Sequence, residues 1–224
     1  KLKLYKSNVD KFILGKYDLV ISNPPYIKNF NLKYLEKDVA KFEPKLALDG
    51  GLDGLSAIRK VIKKRSAGKP IAYLVNKKFF WNSEFIVSND TLIPRPDTEL
   101  IIDKVLKLTA HKKKLNILEI GIGSGCIILS ILKERKSFYG TGIDISKSCL
   151  NISKLNAIKL KVGSKLKLYK SNVDKFTLGK YDLVISNPPY IKKSKIKYLE
   201  KDVAKFEPKL ALDGGLDGLS EIRK

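Results

Sequence analysis

Asn187-Pro188-Pro189-Tyr190 follows the apolar run YDLVIS at 181–186 and brings together residue types suited to a planar amide or amine. The nitrogen of such a group is a poor nucleophile, because its lone pair is delocalised. The Asn187 side-chain oxygen and the Pro188 carbonyl can accept its two hydrogens and aim the lone pair at an electrophile. Tyr190 can pack over the planar group. The paired prolines fix the backbone and remove two N–H donors, so the loop presents acceptors. Catalysis by such a loop is orientation and electrostatics, with no strong base required. Asn-Pro-Pro-Tyr also suits a rigid turn. A strand before it and a glycine-rich turn upstream make the chemical reading the more specific one.

That upstream turn is NILEIGIGSGC, which places Glu119, Gly121, Gly123 and Gly125 where a strand opens into a helix. Glycines there permit a sharp turn and leave room for a ligand against the main chain. A dinucleotide fingerprint asks for glycine at position 126, where Cys126 stands, and Glu119 would repel a pyrophosphate. Asp144 ends the next strand, GTGIDIS, and can accept hydrogen bonds from both hydroxyls of a ribose. A cationic adenosine ligand without phosphates fits these features, and S-adenosylmethionine has that character.

Positioning these groups requires strands alternating with helices. Leu115–Ile120, Phe138–Ile143, Lys165–Tyr169 and Tyr181–Ser186 read as strands. Helices are expected after Pro96, over Cys126–Lys133, over Ser146–Ile158 and, last, over Leu216–Arg223. A β-hairpin is expected near 72–88, with Trp81 packing it onto the sheet. The order implies a parallel sheet with right-handed crossovers, a Rossmann-like α/β architecture.

The chain also repeats itself. Residues 1–60 align without gaps to 165–224 and differ at six positions, four of them at 29–32 against 193–196. Two long, nearly identical copies indicate a duplication or rearrangement rather than a solenoid. The expected organisation is a duplicated segment at 1–60, a linker with the hairpin at 61–95, and a partial catalytic core at 96–224. Asn23, the counterpart of Asn187, has no cofactor half before it and reads as a passenger of the duplication. Copy 2 is expected in the sheet position next to Leu115–Ile120. The copy 1 strands Leu2–Lys6 and Tyr17–Ser22 are expected to pair beside it or to swap into a second molecule.

The stretches LIPRPDTEL (92–100), ILEIGIGSGC (117–126), SNPPYI (186–191) and FEPKLALDGGLDGL (206–219) together closely resemble the HemK/PrmC-type protein-glutamine methyltransferases. Those enzymes methylate the glutamine amide of the Gly-Gly-Gln loop in peptide-chain release factors. The resemblance runs in family order from about 61 to 224. It implies a class I S-adenosylmethionine-dependent fold truncated after its fourth strand, leaving an open sheet edge. It also implies that Gly121, Gly123 and Gly125 wrap the methionine part of the cofactor and that Asp144 holds the ribose. Asn187 would touch cofactor and substrate, framed by Pro188, Pro189 and Tyr190. Where family members often carry an Asp-Trp pair near the adenine, this chain has Asn172 and Val173. The resemblance further leads to the expectation that copy 1 stands where the family carries a helical N-terminal domain.

Composition narrows the alternatives. A net charge of +22 suits an anionic partner, yet only five of the 45 basic residues are Arg, and Lys is spread along the whole chain. A nucleic-acid amino-methyltransferase is therefore the rival enzyme reading, and a non-catalytic product of a rearranged gene is the rival from another class. No apolar run reaches membrane-spanning length, and no secretory signal opens the chain. The chain contains no Met and reads as a fragment or processed product. Cys126 and Cys149 read as reduced core thiols of a cytoplasmic protein, His111 as a solvated helix end, and no metal site is expected. Asp213–Asp217 reads as a glycine-rich turn.

Overall fold

A computed structural model describes residues 25–223. The strands expected at Leu2–Lys6 and Tyr17–Ser22, and Asn23 itself, lie outside the described residues. The chain divides into two compact units at Val75/Asn76, so the hairpin belongs to the same unit as the main sheet. Among the described residues no helix is long and apolar enough to cross a membrane.

In the first unit, copy 1 forms α1 (Lys37–Phe42), α2 (Lys45–Leu48) and α3 (Ser56–Ser66), followed by α4 (Ile71–Val75). The expected hairpin is therefore shorter than 72–88, since its first residues are helical. Pro70 opens α4, its carbonyl accepting the N–H groups of Tyr73 and Leu74, and a following glycine-free apolar run continues the turn.

The second unit begins with that hairpin, β1 (Lys77–Phe80) against β2 (Ser83–Ile86), joined through Trp81 and Asn82. Burial alternates along β2, with Ser83 and Phe85 inside. Trp81 holds a positive φ of 50°, unusual for a bulky side chain. Two carboxylates anchor it: its N–H donates to Glu99 Oε1 at 2.7 Å and its indole N–H to Glu134 Oε1 at 2.8 Å.

A 3-10 turn at Pro96–Thr98 leads into α5 (Glu99–Leu108). Then β3 (Asn116–Ile120), α6 (Cys126–Glu134), β4 (Tyr139–Asp144), α7 (Lys147–Lys159), β5 (Leu166–Lys170), β6 (Leu183–Ser186) and α8 (Lys201–Phe206) follow. The four long-range strands form one parallel sheet in the order β5-β4-β3-β6. Copy 2 thus supplies the strand beside β3. Ile117, Ile128, Leu129, Ile131, Leu132 and Phe138 are fully buried in its core.

Sequence identity does not give identical structure at the end of the two copies. Residues 216–223 form turns where a helix was expected, while the same motif in copy 1 opens the 11-residue α3. In both copies an Asp side chain accepts the N–H two residues on, Asp53 from Leu55 and Asp217 from Leu219. This holds the glycine-containing stretch as a turn, and in copy 1 the helix begins only at Ser56. Upstream the copies agree closely. Ile27 N–H donates to Leu48 O and Ile191 N–H to Leu212 O, both at 3.1 Å, and Gly50 and Gly214 return bonds to Ile27 O and Ile191 O at 2.9 and 2.8 Å.

One fully buried side chain ties the second unit together. Asn156 on α7 accepts from Ile86 N–H at 2.7 Å, and its amide donates to Ile86 O at 2.9 Å and Ser124 O at 2.8 Å. It completes the hydrogen bonding of β2 as another strand would, and holds the turn after β3 at the same time. Asn156→Ala leaves these buried groups without partners and is expected to destabilise the fold by about 3 kcal/mol. Denaturant midpoints measure this, with Asn151→Ala on the exposed side of α7 as a control that leaves the midpoint unchanged.

Candidate active site at the carboxyl edge of the sheet

The chain runs β3, β4, β5 to one side of the sheet and then crosses back to place β6 on the other side of β3. The carboxyl ends of β3 and β6 therefore flank a topological switch point, where open α/β sheets bind ligands. The glycine turn follows β3 and Asn187 follows β6, with Ile120 paired to Ser186. Ser186 Oγ donates to Ile120 O at 3.1 Å, joining the two strand ends.

The turn itself is built from backbone at positive φ: 69° at Gly121, 55° at Gly123 and 77° at Gly125. Gly125 caps α6, and a Cβ there would lie 2.8 Å from Leu129 Cδ1, so neither the conformation nor the space admits a side chain. A Cβ on Gly121 would instead meet nothing within 4 Å. The turn is closed toward the core and open above. Ser153 Oγ donates to Gly123 O at 2.8 Å, and Asn156 holds Ser124 O, so α7 turns these carbonyls inward.

Two acids stand beneath the opening. Asp144 accepts Gly123 N–H at 2.9 Å and Ser146 N–H at 2.8 Å. Glu119 is buried at the end of β3 and accepts Ile128 N–H at 3.0 Å. Burial, reinforced by the negative charge of Asp144 and opposed by the Ile128 bond, pushes the Glu119 carboxyl up to about 8. No basic side chain occurs from Gly121 to Gly125. The acceptor oxygens of Asp144, with no basic side chain beside them, suit a hydroxyl-bearing ligand and not a phosphate.

Asn172 and Val173 follow β5 at the same edge, where Asn172 Oδ1 accepts Lys175 N–H at 3.1 Å and caps a 3-10 turn. Asn187 is partly buried, its amide 3.5 Å from Thr98 Oγ1, while Tyr190 is 64% exposed. Pro188 and Pro189 are partly buried beside it. Gly214 and Gly218 press on this loop from the copy 2 turn. A Cβ at Gly218 would lie 2.5 Å from Tyr190 O. The Asp213–Asp217 turn is thus a backing plate for Asn-Pro-Pro-Tyr.

Several positioning residues were not singled out from sequence. Glu207 of FEP is buried, pairs with Arg95 of LIPRP, and accepts Ile93 N–H at 3.4 Å. It fastens two motifs more than a hundred residues apart, whereas its copy 1 counterpart Glu43 is exposed. Ser153 and Asn156 carried a faint signal: with Cys149 they put small and polar residues at the helical spacing where an apolar stripe is usual. The thiols are core groups at neutral pH, Cys126 pushed up to about 12 and Cys149 to about 11, in both cases chiefly by burial.

A family model described as methyltransferase small domain matches residues 96–216, the span from α5 through the copy 2 glycine turn. The chain belongs to this family. The release factor glutamine methyltransferase of Caulobacter vibrioides is 37% identical over 174 residues, covering 76% of this chain and 59% of its own length. That of Buchnera aphidicola subsp. Baizongia pistaciae is 38% identical over 174 residues, covering 76% and 61%. The bifunctional methyltransferase of Rickettsia prowazekii is 35% identical over 184 residues, covering 74% and 36%. The chain thus spans about three-fifths of the length of the first two relatives, 59% and 61%. Among solved structures, the hMettl16 catalytic domain in complex with MAT2A 3′UTR hairpin 6 superposes with a TM-score of 0.52 at 16% identity, covering 75% of this chain and 58% of that one. That likeness shows the fold: a Rossmann-like methyltransferase sheet, here of four parallel strands.

Glu119 generates a pH prediction. Its folded-state value near 8 lies above the ordinary 4.5, so the folded protein holds a proton there that the unfolded chain has lost. Stability from this site is therefore complete below about pH 4.5 and falls as pH rises toward about 8. The slope is at most about 1.4 kcal/mol per pH unit. Glu119→Gln removes it, so the variant gains on the parent protein in denaturant midpoints between about pH 5 and pH 8. Parallel curves for the two proteins would mean that Glu119 is ionised in the fold.

Proposed function

We propose that this edge binds S-adenosylmethionine and directs methylation of a glutamine side-chain amide in a peptide-chain release factor. The observation that carries the reading is the placement of Asn187 across the β3/β6 switch point from the open glycine turn. The acid pair Glu119 and Asp144, and relatives named release factor glutamine methyltransferase, support it. When bound, the cofactor supplies a sulfonium-activated methyl group.

The roles of this chain's residues follow from their chemistry. Gly121 and Gly123 give the ligand access to main chain, and Asp144 accepts from ribose hydroxyls with the lone pairs left by its two backbone bonds. Glu119, buried beneath the turn, holds the start of α6 through Ile128 N–H. Asn172 and Val173 border the adenine side. The Asn187 oxygen and the Pro188 carbonyl take up the two amide hydrogens, which orients the nitrogen lone pair, and Tyr190 covers the amide plane. The nitrogen gains the methyl group, the sulfonium sulfur keeps the electron pair of the broken bond, and one amide proton leaves to water. Arg95 and Glu207 act one step back, by holding the loop that frames Asn187.

Calorimetric titration with S-adenosylmethionine, followed by transfer of a labelled methyl group to a release factor, tests this. Binding with measurable transfer to the release factor and none to DNA or ribosomal RNA is the expected result. Asn187→Ala is expected to lower transfer by 100-fold or more, about 2.7 kcal/mol, on the scale of losing an orienting donor or acceptor in other active sites. Folded protein without cofactor binding overturns the reading, and transfer to nucleic acid alone replaces the substrate class.

A further inference from the structure

The opposite, amino-terminal edge of the sheet carries a separate feature. A cleft of about 580 Å³ opens there, lined by the starts of β3 and β4, by residues of β5, and by the segment 178–181. Its volume lies in the range of sites that hold a small organic group. It contains Lys114, Lys165, Lys167 and Lys180, and no carboxylate lines it. None of these four lysines makes an ion pair among the described residues. The adjacent Asp182 is already engaged, accepting Asn116 N–H at 2.7 Å.

Four ammonium groups without a carboxylate partner thus gather around one opening, and Lys165 is the one drawn furthest into the protein. Burial and the neighbouring charge of Lys136 lower its pKa, while its ammonium donates to Leu132 O at 2.8 Å. Aromatic faces complete the lining. Tyr139 is 45% exposed with Lys114 Nζ 5.2 Å from its ring centroid, and Tyr169 is 36% exposed. Phe176 bridges Tyr169 and Tyr181, at centroid distances of 5.7 and 6.4 Å. The Tyr181 hydroxyl donates to Leu178 O at 2.8 Å, which fixes the end of this aromatic row.

Cationic groups beside exposed aromatic faces bind phosphodiester chains with unpaired bases: ammonium groups take the phosphates and rings stack on the bases. We propose that this cleft is a binding site for single-stranded nucleic acid, contacted at one or two nucleotides. It is distinct from the candidate active site, since β3 separates Asn116 from Ile120 by roughly 13 Å of strand. A chain-like ligand is favoured over a free nucleotide because the surrounding charge, +22 over the protein, continues the attraction beyond the cleft. The inference does not rest on the methyltransferase reading.

Fluorescence anisotropy with a labelled 12-nucleotide oligouridine, titrated at several salt concentrations, tests it. Lys167→Glu with Lys180→Glu is expected to weaken binding roughly tenfold or more and to reduce the salt slope by about 0.7 for each lysine removed. Tyr139→Ala is expected to weaken binding severalfold with the slope unchanged, as loss of stacking requires. Lys147→Glu with Lys154→Glu, both exposed on α7, removes the same charge elsewhere. Equal weakening by this control pair would mean that binding is diffuse, and would overturn the site. Displacement of the oligonucleotide by AMP at equal concentration would assign the cleft to free nucleotides and overturn the strand reading. S-adenosylmethionine titrations of the same variants keep this outcome separate from the proposed catalytic function.

Discussion

The hydrogen bonds of Asn156 are the constraint on which the second unit depends. A buried amide must find partners for both its donor and its acceptor groups, and it finds them on two different elements. It pairs with both backbone groups of Ile86 and with Ser124 O, so the hairpin, α7 and the glycine turn cannot shift independently. Ser153 adds Gly123 O to the same helix. The turn after β3 is therefore held from below by side chains, which leaves its upper side free of protein atoms at Gly121. Preorganisation of the opening comes from polar contacts on its buried side.

A second fastening acts on the opposite side of the switch point. The Asn-Pro-Pro-Tyr loop lacks two N–H donors and cannot stabilise itself by a regular hydrogen-bond ladder. It is held by close backbone approach at Gly214 and Gly218, and the chain leading into that turn is secured by Glu207 to Arg95 and Ile93. Glu207 has 1% of its side chain exposed against 37% for Arg95, so the pair is half in solvent. Such a pair contributes geometry more than stability, because solvent screens the exposed partner while the buried one depends on it for direction.

Much of this was legible in the sequence because it rests on local signals. Apolar β-rich runs and glycine punctuation identified β3, β4, β5 and β6 to within about two residues at either end. Parallel pairing then had to bring Glu119, Asp144, Asn172 and Asn187 to one edge. Long-range partners were not legible. Nothing in the spacing of Arg95 and Glu207 indicates that they meet, and the buried side of α7 is small and polar where periodicity arguments expect apolar residues. The expected helix at 216–223 failed for a different reason: Asp217 and Gly218 are poor helix residues, and the Asp217 carboxylate takes the Leu219 N–H into a turn. The short α4, read as part of a strand, shows that a five-residue apolar run carries no periodicity to decide between the two.

The twin loops have a consequence in stoichiometry. Residues 27–56 and 191–220 fold the same hydrogen-bonded turn although four of the six sequence differences between the copies fall within it, at 29–32 and 193–196. Backbone shape here is set by the shared Asp and Gly residues, and surface chemistry by the variable ones. A molecule that recognises only the shape of the turn would find two equivalent places on each chain. A molecule that needs the acids and open glycine turn beside β3 would find one. Counting ligands per chain thus distinguishes recognition of a loop from recognition of a site, within a single protein that carries both.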